Sequence, residues 1–376
     1  MRNRPSRGGA VVVAAALVAL PMLAVPAGAS AGPRAPRLSP TAAGIDLADD
    51  DADALRELDR AVEVARTLRY RGRLTVASFG RGGPQVTTVE VARAADGRLR
   101  AERRGAWELG RDADGGYLRS TRTGSLLRLG GVEAGAFDRA RFLRHYRVED
   151  GGTSDLDTGP ARALLVVARA SGLRRETLYV DQASGLIVRR ETRDRDGTPV
   201  RVVAFTELEV DPGTGLVAPP PDPAGDVESL ALTPVARRAL VDRGVPVHRD
   251  LPGGFELLGA TEVEAADVPT VHLVYSDGLY TLSLYVQEGR LASHATSEAT
   301  PLALPGGGAV WRWPGSEPRR VVWTGEGRTF TALTDAPTGD LLEAVAGLPN
   351  DPAPSTLSRL ARGLSRVGER LLPPWG

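Results

Sequence analysis

The sequence predicts an α+β protein. An antiparallel sheet curves around one or two helices, and a smaller mixed α/β domain with its own antiparallel sheet follows. Three observations predict this. From Tyr70 to Val210, short period-two segments are separated by Gly-rich or Asp-Gly turns, a meander rather than alternating strands and helices. A Pro/Gly-rich break, Gly213 to Asp226, then interrupts the chain. Beyond it, VHLVYSDGLYTLSLYV (Val271 to Val286) carries Asp277-Gly278 between alternating apolar residues, a strong short-range hairpin signal.

The chain opens with Arg2, Arg4 and Arg7, an apolar run from Ala10 to Val25, and small residues at Ala27, Ala29 and Ala31. Positive, apolar and small-residue zones in that order match a secretory signal peptide over residues 1–31, with cleavage after Ala29-Ser30-Ala31. The rival reading is a retained membrane anchor, against which stand Pro21 within the run and Pro26 at its end. Residues 32–48 read as a tether, with Pro33, Pro36 and Pro40. The first domain is expected over 49–212. Asp49, Asp50, Asp51 and Asp53 suit a helix start, and Leu55, Leu58, Val62, Ala65 and Leu68 continue at helical spacing. Strand pairs follow at Leu74 and Val76, Val89 and Val91, and Leu99 and Ala101, with further short strands over 116–121 and 125–129. A short helix is expected from Phe137 to Tyr146. Leu173 to Val180 and Leu186 to Thr192 form a hairpin, and Asp196-Gly197 turns into the longest strand. There Val200, Val202, Ala204, Thr206, Leu208 and Val210 share a face.

The linker, 213–228, contains the stiff run Pro219-Pro220-Pro221-Asp222-Pro223. The second domain spans 229–349. Thr233-Pro234 caps a helix that stops at Gly244. In the central hairpin, a two-residue type I′ turn would set Tyr275 opposite Tyr280, Leu273 opposite Leu282 and Val271 opposite Leu284. One side of the ribbon would be apolar. The other, with His272, Ser276, Thr281 and Ser283, would be mostly polar and half-solvated. Strands are expected at 302–304, 310–313, 319–324 and 328–333, then a helix from Thr338 to Leu348. A tail, 350–376, repeats Leu357, Leu360, Leu364, Val367 and Leu371 at helical spacing among Arg359, Arg362, Arg366 and Arg370. Such a helix docks on an anionic membrane surface, pairs with a partner helix, or packs on its own domain. Leu357, Leu360, Arg362, Leu364, Arg366, Val367 and Leu371 are its candidate partner- or membrane-binding residues.

Composition narrows the function. Lys+Arg and Asp+Glu both number 47, and every basic residue is arginine. The ordinary reading of that bias is a GC-rich genome. Removing the signal segment leaves the remainder slightly acidic, which argues against a nucleic-acid partner. Cysteine is absent, which excludes disulfides, thiol catalysis and thiolate-bound metal.

No catalytic or cofactor motif stands out. His145, His248, His272 and His294 share no metal-like spacing, and His272 reads as an ordinary hydrogen-bonded residue. Gly306-Gly307-Gly308 lacks the lysine of a phosphate loop. Asp277 is explained by its turn, and no Gly-x-Ser-x-Gly elbow occurs. A binding protein without cofactor or metal is the expectation, rather than an enzyme. A curved sheet around helices can expose a groove, and Leu74, Val76, Val89, Val91, Leu99 and Trp107 are its candidate apolar lining. Core is the alternative for each of them.

Two stretches carry a family resemblance. The hairpin, preceded by LPGGFEL at Leu251 to Leu257, resembles the C-terminal domain of the MucB/RseB family. LYVDQASGLIVRRETRDRDGTPVRVVAFTEL, Leu178 to Leu208, resembles the close of that family's N-terminal domain. The segment Ala170 to Arg175 departs from the family pattern. The resemblance implies a first domain similar to the lipoprotein carriers LolA and LolB, an unclosed β-barrel over helices. It also implies an extracytoplasmic regulator of sigma-E-type stress signalling, which binds the outer part of a membrane anti-sigma factor under the control of a lipidic signal. An apolar or acyl-chain ligand is the implied modulator. The alternative function is a lipid or lipoprotein carrier.

Overall fold

The computed structural model describes residues 51–80, 83–111, 116–121, 126–129, 137–213, 229–230, 233–265, 268–291, 296, 299–305, 307–312 and 319–351. Helix α1 (Asp51–Thr67) leads into β1 (Tyr70–Ser78), β2 (Gln85–Arg93), β3 (Leu99–Arg103), β4 (Trp107–Arg111), β5 (Gly116–Ser120) and β6 (Leu126–Leu129). After α2 (Arg139–His145) come β7 (Tyr146–Leu156), β8 (Gly159–Ala168), β9 (Arg174–Asp181), β10 (Ile187–Arg193) and β11 (Pro199–Val210). Each half is a meander, and pairing of the first strand with the last joins them. The eleven-stranded order is β6-β5-β4-β3-β2-β1-β11-β10-β9-β8-β7. Consecutive strands β6 and β7 lie at opposite edges, so the sheet is open.

Helix α1 fills the concave side because its apolar stripe matches what the strands present there. Ala54, Leu58, Ala61 and Val62 pack with Phe142, Val148, Leu164, Val166, Leu178 and Val180. Its last turn, with Val64 and Ala65, meets Leu74, Val89, Val203 and Phe205. The expected single-face pattern of the longest strand breaks at Thr206. Arg73 pairs with Glu207 but Leu74 with Phe205, leaving Thr206 as the extra residue of a bulge. Phe205 and Leu208 therefore join the core while Thr206 does not. The Thr206 hydroxyl instead donates to the Arg73 carbonyl at 3.2 Å.

The second sheet comprises β12 (Ser229–Leu230), β13 (Asp250–Leu251), β14 (Phe255–Ala265), β15 (Val268–Ser276), β16 (Thr281–Glu288), β17 (Thr300–Ala303), β18 (Ala309–Arg312), β19 (Arg319–Gly325) and β20 (Arg328–Thr334). Its order is β12-β14-β15-β16-β20-β19-β18-β17, with β13 paired to β14. Two helices, α3 (Pro234–Asp242) and α4 (Thr338–Ala346), cover one face. Leu240 and Leu341, Ala344 and Val345 pack there with Leu273, Tyr275, Leu284, Trp323 and Phe330. Thr233 caps α3, its hydroxyl accepting from the Ala236 amide at 3.1 Å, and Gly244 follows at φ +76°.

The central hairpin differs from its expected register by two residues. Ser276 pairs with Thr281, Tyr275 with Leu282 and Leu273 with Leu284. The turn is thus four residues, Asp277 to Tyr280, rather than two. Of the expected Asp277-Gly278 pair only Gly278 has positive φ. Positive φ at two successive central residues occurs at Glu326 and Gly327, between the paired Gly325 and Arg328. A shift of two preserves which side chains share a face, so Tyr275, Leu273 and Val271 still point to the core.

The polar side of this hairpin is buried, contrary to the half-solvated expectation. Among the described residues His272, Ser283 and Tyr285 are all at most 3% exposed. His272 stacks on its cross-strand neighbour Tyr285, with ring centroids 4.3 Å apart, and its Nε2 finds no hydrogen-bond partner. It is not an ordinary hydrogen-bonded histidine. Burial pushes its pKa down to about 3. Below about pH 6.5 the unfolded chain then takes up a proton that the folded chain refuses. Stability should fall by about 2 kcal/mol between pH 7 and pH 5 on this account alone. His272→Phe is expected to remove that component, measured as the difference in urea midpoint between the two pH values; an unchanged difference would contradict it.

Candidate functional site

Among the described residues, a cluster of ionisable groups lies where the second sheet and its helices meet the first sheet, around the turn from Asp277 to Tyr280. The turn is held from within. Asp277 Oδ1 accepts from the backbone amides of Leu279 at 2.8 Å and Tyr280 at 2.7 Å, and Ser276 Oγ donates to the Tyr280 carbonyl at 2.8 Å. This leaves Asp277 Oδ2 free to reach across the junction, where the Tyr146 hydroxyl donates to it at 2.6 Å. Leu279 adds an apolar contact to the cluster around α1 and α2. Gly278 seats the turn on α2: a β-carbon there would lie 2.4 Å from the Phe142 backbone nitrogen and 2.5 Å from its Cα.

Tyr280 is buried with two guanidinium groups over its ring, Arg190 at 5.6 Å from the ring centroid and Arg175 at 6.0 Å. Arg190 donates to Glu176 at 2.9 Å on its own sheet and to Asp335 at 3.2 Å on the other. The second oxygen of Asp335 accepts from the Thr281 amide at 3.0 Å. Arg175 pairs with Asp340 at the start of α4, and Arg195 reaches the same carboxylate at 2.6 Å and also pairs with Glu343. At the rim, Glu256 accepts from Arg144 at 2.5 Å and Arg141 at 3.3 Å.

The signs segregate across the junction. Cations come from the first domain: Arg141, Arg144, Arg175, Arg190 and Arg195. Carboxylates come from the second: Glu256, Asp277, Asp335, Asp340 and Glu343. Burial would lower the pKa of Arg190, but Glu176 and Asp335 hold it above the ordinary arginine value. Asp277 has no guanidinium of its own. Burial, reinforced by the nearby Asp335 charge, pushes its carboxyl up to about 6, against the opposing pull of Tyr146 and the turn amides.

The six candidate groove residues do come together. Leu74, Val76, Val89, Val91, Leu99 and Trp107 are between 0 and 6% exposed and share one core cluster. The last turn of α1 covers them. Beside them is a cavity of about 40 Å³, bounded by Ala65, Leu74, Val188 and Phe205, well short of the roughly 300 Å³ at which small-molecule pockets begin. A larger cleft of about 360 Å³ opens on the opposite face of the sheet. Its lining is charged, and Arg71 with Glu209 and Arg73 with Glu207 are cross-strand ion pairs.

Leu357, Leu360, Arg362, Leu364, Arg366, Val367 and Leu371 lie outside the described residues, as do the signal segment, most of the linker and His294. Among the described residues, no group of three or more His, Asp or Glu is arranged to hold a metal ion, and no helix is long and apolar enough to cross a membrane. Sequence reasoning missed Tyr146, Arg175, Arg190, Asp335 and Asp340. One signal was present: Arg190 occupies an inward position of β10, two residues from the buried Val188. A charge in that place demands a partner.

No family model matches the chain, and no curated protein does. Among solved structures, a Pseudomonas aeruginosa MucA/MucB complex is similar over 80% of this chain and 99% of that chain, at 23% identity and a TM-score of 0.49. A MucB structure in complex with MucA(peri) covers 80% of this chain and 100% of that chain, at 20% identity and a TM-score of 0.42. A LolA-superfamily protein from Nitrosomonas europaea is similar over 45% of this chain and 95% of that chain, at 11% identity and a TM-score of 0.23. At these identities and scores, none of the likenesses assigns an activity or a partner to this chain.

Proposed function

We propose that this chain is an exported, two-domain regulatory binding protein that engages the extracytoplasmic part of a membrane anti-sigma factor or a similar envelope-stress partner. One observation carries the reading. The two stretches that bear the MucB/RseB resemblance meet in space, Arg190 of the first lying over Tyr280 of the second. The resemblance therefore spans a contact between the two sheets, not two unrelated turns. The buried ionisable groups at that contact are engaged with one another rather than aimed into a pocket, which suits a binding role better than catalysis.

The test is capture. Tagged chain lacking residues 1–31, mixed with the soluble outer segment of a membrane anti-sigma factor from the same organism, should retain that segment through the second domain. Reproducible failure with both intact would end the reading.

An apolar ligand is the proposed modulator, and a carrier of lipid or lipoprotein is the second reading. The open sheet wrapped around α1 favours both, but with the concave side filled, either requires α1 to lift from β1 and β2. Mass spectrometry of organic extracts from the purified protein separates the outcomes. A stoichiometric acylated lipid supports the carrier; its absence, with partner capture intact, leaves the regulator. We also propose that the basic tail, Leu357 to Trp375, contributes to membrane or partner association. Its deletion should weaken that association and leave the melting temperature unchanged, whereas a large drop would place it in the core.

A further inference from the structure

Beside a second contact that joins β6 to β14, the contact between the domains around the hairpin turn is rich in charged groups. Apart from Leu279, its central members are Tyr146, Arg175, Arg190, Tyr280, Asp277, Asp335 and Asp340. In the ion pairs that cross the contact the cations lie on the first side and the carboxylates on the second, Glu176 being a first-side carboxylate that shares Arg190, and each side has its own apolar core. Contacts between domains of one chain commonly permit relative motion unless they are large and hydrophobic. Separation here would rehydrate those charges while uncovering Leu279, Tyr280 and the contact of β6 with β14. The hairpin turn is hydrogen-bonded within itself, through Asp277 Oδ1 and Ser276, so it would survive undocking intact.

We propose that the contact between the two domains is a reversible clasp, and that the Asp277–Tyr146 pair is its proton-sensitive catch. Protonated, the Asp277 carboxyl holds the turn docked; ionised, it lets the domains part more readily. The geometry supplies the reason. Asp277 is 2% exposed and, alone among the carboxylates on its side, meets a hydroxyl instead of a guanidinium. The groups around it are Tyr280 and Asp335 from its own domain, Asp340 from α4, Tyr146 from β7, Glu176 and Arg175 from β9, and Arg190 from β10. The two cations are engaged by Asp340, Glu176 and Asp335. A proton on Oδ2 can be donated to the Tyr146 oxygen, and the buried charge is then gone.

The sign follows from the direction of the shift. Docked, the carboxyl titrates at about 6 instead of the ordinary 3.8. The docked state thus binds the proton more tightly, and docking weakens as pH rises through that window, then stays constant above it. From pH 5 to pH 7 the docking constant should drop about tenfold from this group. His145 works the other way. It lies under Gly254 at the rim, where burial and the neighbouring Arg144 lower its pKa, so acid charges it and loosens the contact. It is the same in wild type and in an Asp277 variant, so comparing the two at each pH isolates the catch. The inference does not depend on the identity of the partner.

The chain has no cysteine, so paired labels can be introduced cleanly. Val86→Cys on β2 and Val235→Cys on α3 use residues 46% and 79% exposed. Spin-label distances between them, recorded from pH 5 to pH 8, read the docked fraction. In the otherwise wild-type chain the ratio of open to docked is expected to rise about tenfold over the lower part of that range. Asp277→Asn keeps the acceptor for the turn amides and supplies a neutral donor to Tyr146. It should stay docked throughout and retain only the response due to His145. Tyr146→Phe removes a hydrogen bond to the ionised form and should move the midpoint to higher pH. A single distance at every pH, or identical pH profiles for wild type and Asp277→Asn, would overturn the proposal.

Discussion

Gly278→Ala is expected to unseat the second domain from the first. The glycine has φ +94°, a region that costs a residue with a side chain roughly 1–3 kcal/mol. Its missing side chain is also the contact surface. The added carbon would overlap the backbone of Phe142, 2.4 Å from its nitrogen, and α2 cannot give way without breaking its own hydrogen bonds. A flexible side chain would yield; a helix backbone does not. The combined penalty should exceed about 3 kcal/mol. Urea unfolding should split into two transitions, and limited proteolysis should cut the linker between residues 213 and 228 faster. A single transition with an unchanged midpoint would show that the turn does not seat on α2.

Arg190→Met should be comparably damaging, for a different reason. Arg190 satisfies Glu176 and Asp335 together, and both carboxylates are buried. Removing the guanidinium leaves two buried carboxylates without their cation, a loss of about 3–5 kcal/mol. Adding Glu176→Gln and Asp335→Asn to Arg190→Met should recover much of it, because the penalty comes from the orphaned charges. Chemical denaturation of the single and triple variants decides the matter. No recovery in the triple variant would place the role of Arg190 in packing against Tyr280 instead.

Much of the fold was legible because local chemistry and global architecture agree. The stripe Leu55, Leu58, Val62 and Ala65 does line the buried side of α1. The Thr233-Pro234 cap and the Asp196-Gly197 turn both stand where local chemistry puts them. The paired β7 and β8 were not read, because DGGTSDLDTG interrupts their alternation and Gly151 and Gly152 sit at a register shift. The bulge at Thr206 was equally hidden. Its neighbours keep a clean period of two, and only pairing with β1 shows that one residue is extra.

The junction was the least legible part. Asp277 was sufficiently explained by its turn, and one of its oxygens does serve the turn. The other oxygen serves Tyr146, 131 residues away in sequence. Arg175 and Asp340 are 165 residues apart. No periodicity or spacing within a segment encodes pairings of that range. The hairpin's polar side misled in the opposite direction: alternation of His272, Ser283 and Tyr285 with apolar residues reads as a solvated face, and burial of that face is a tertiary fact.

The central claim is that this protein is a binding regulator of an anti-sigma factor, and calorimetric titration tests it most directly. The chain without residues 1–31 is titrated with the soluble outer segment of a membrane anti-sigma factor from the same organism. The expected result is saturable heat with a defined stoichiometry, retained by the second domain if that part folds alone. The absence of any saturable signal, with both proteins folded by circular dichroism, would contradict it.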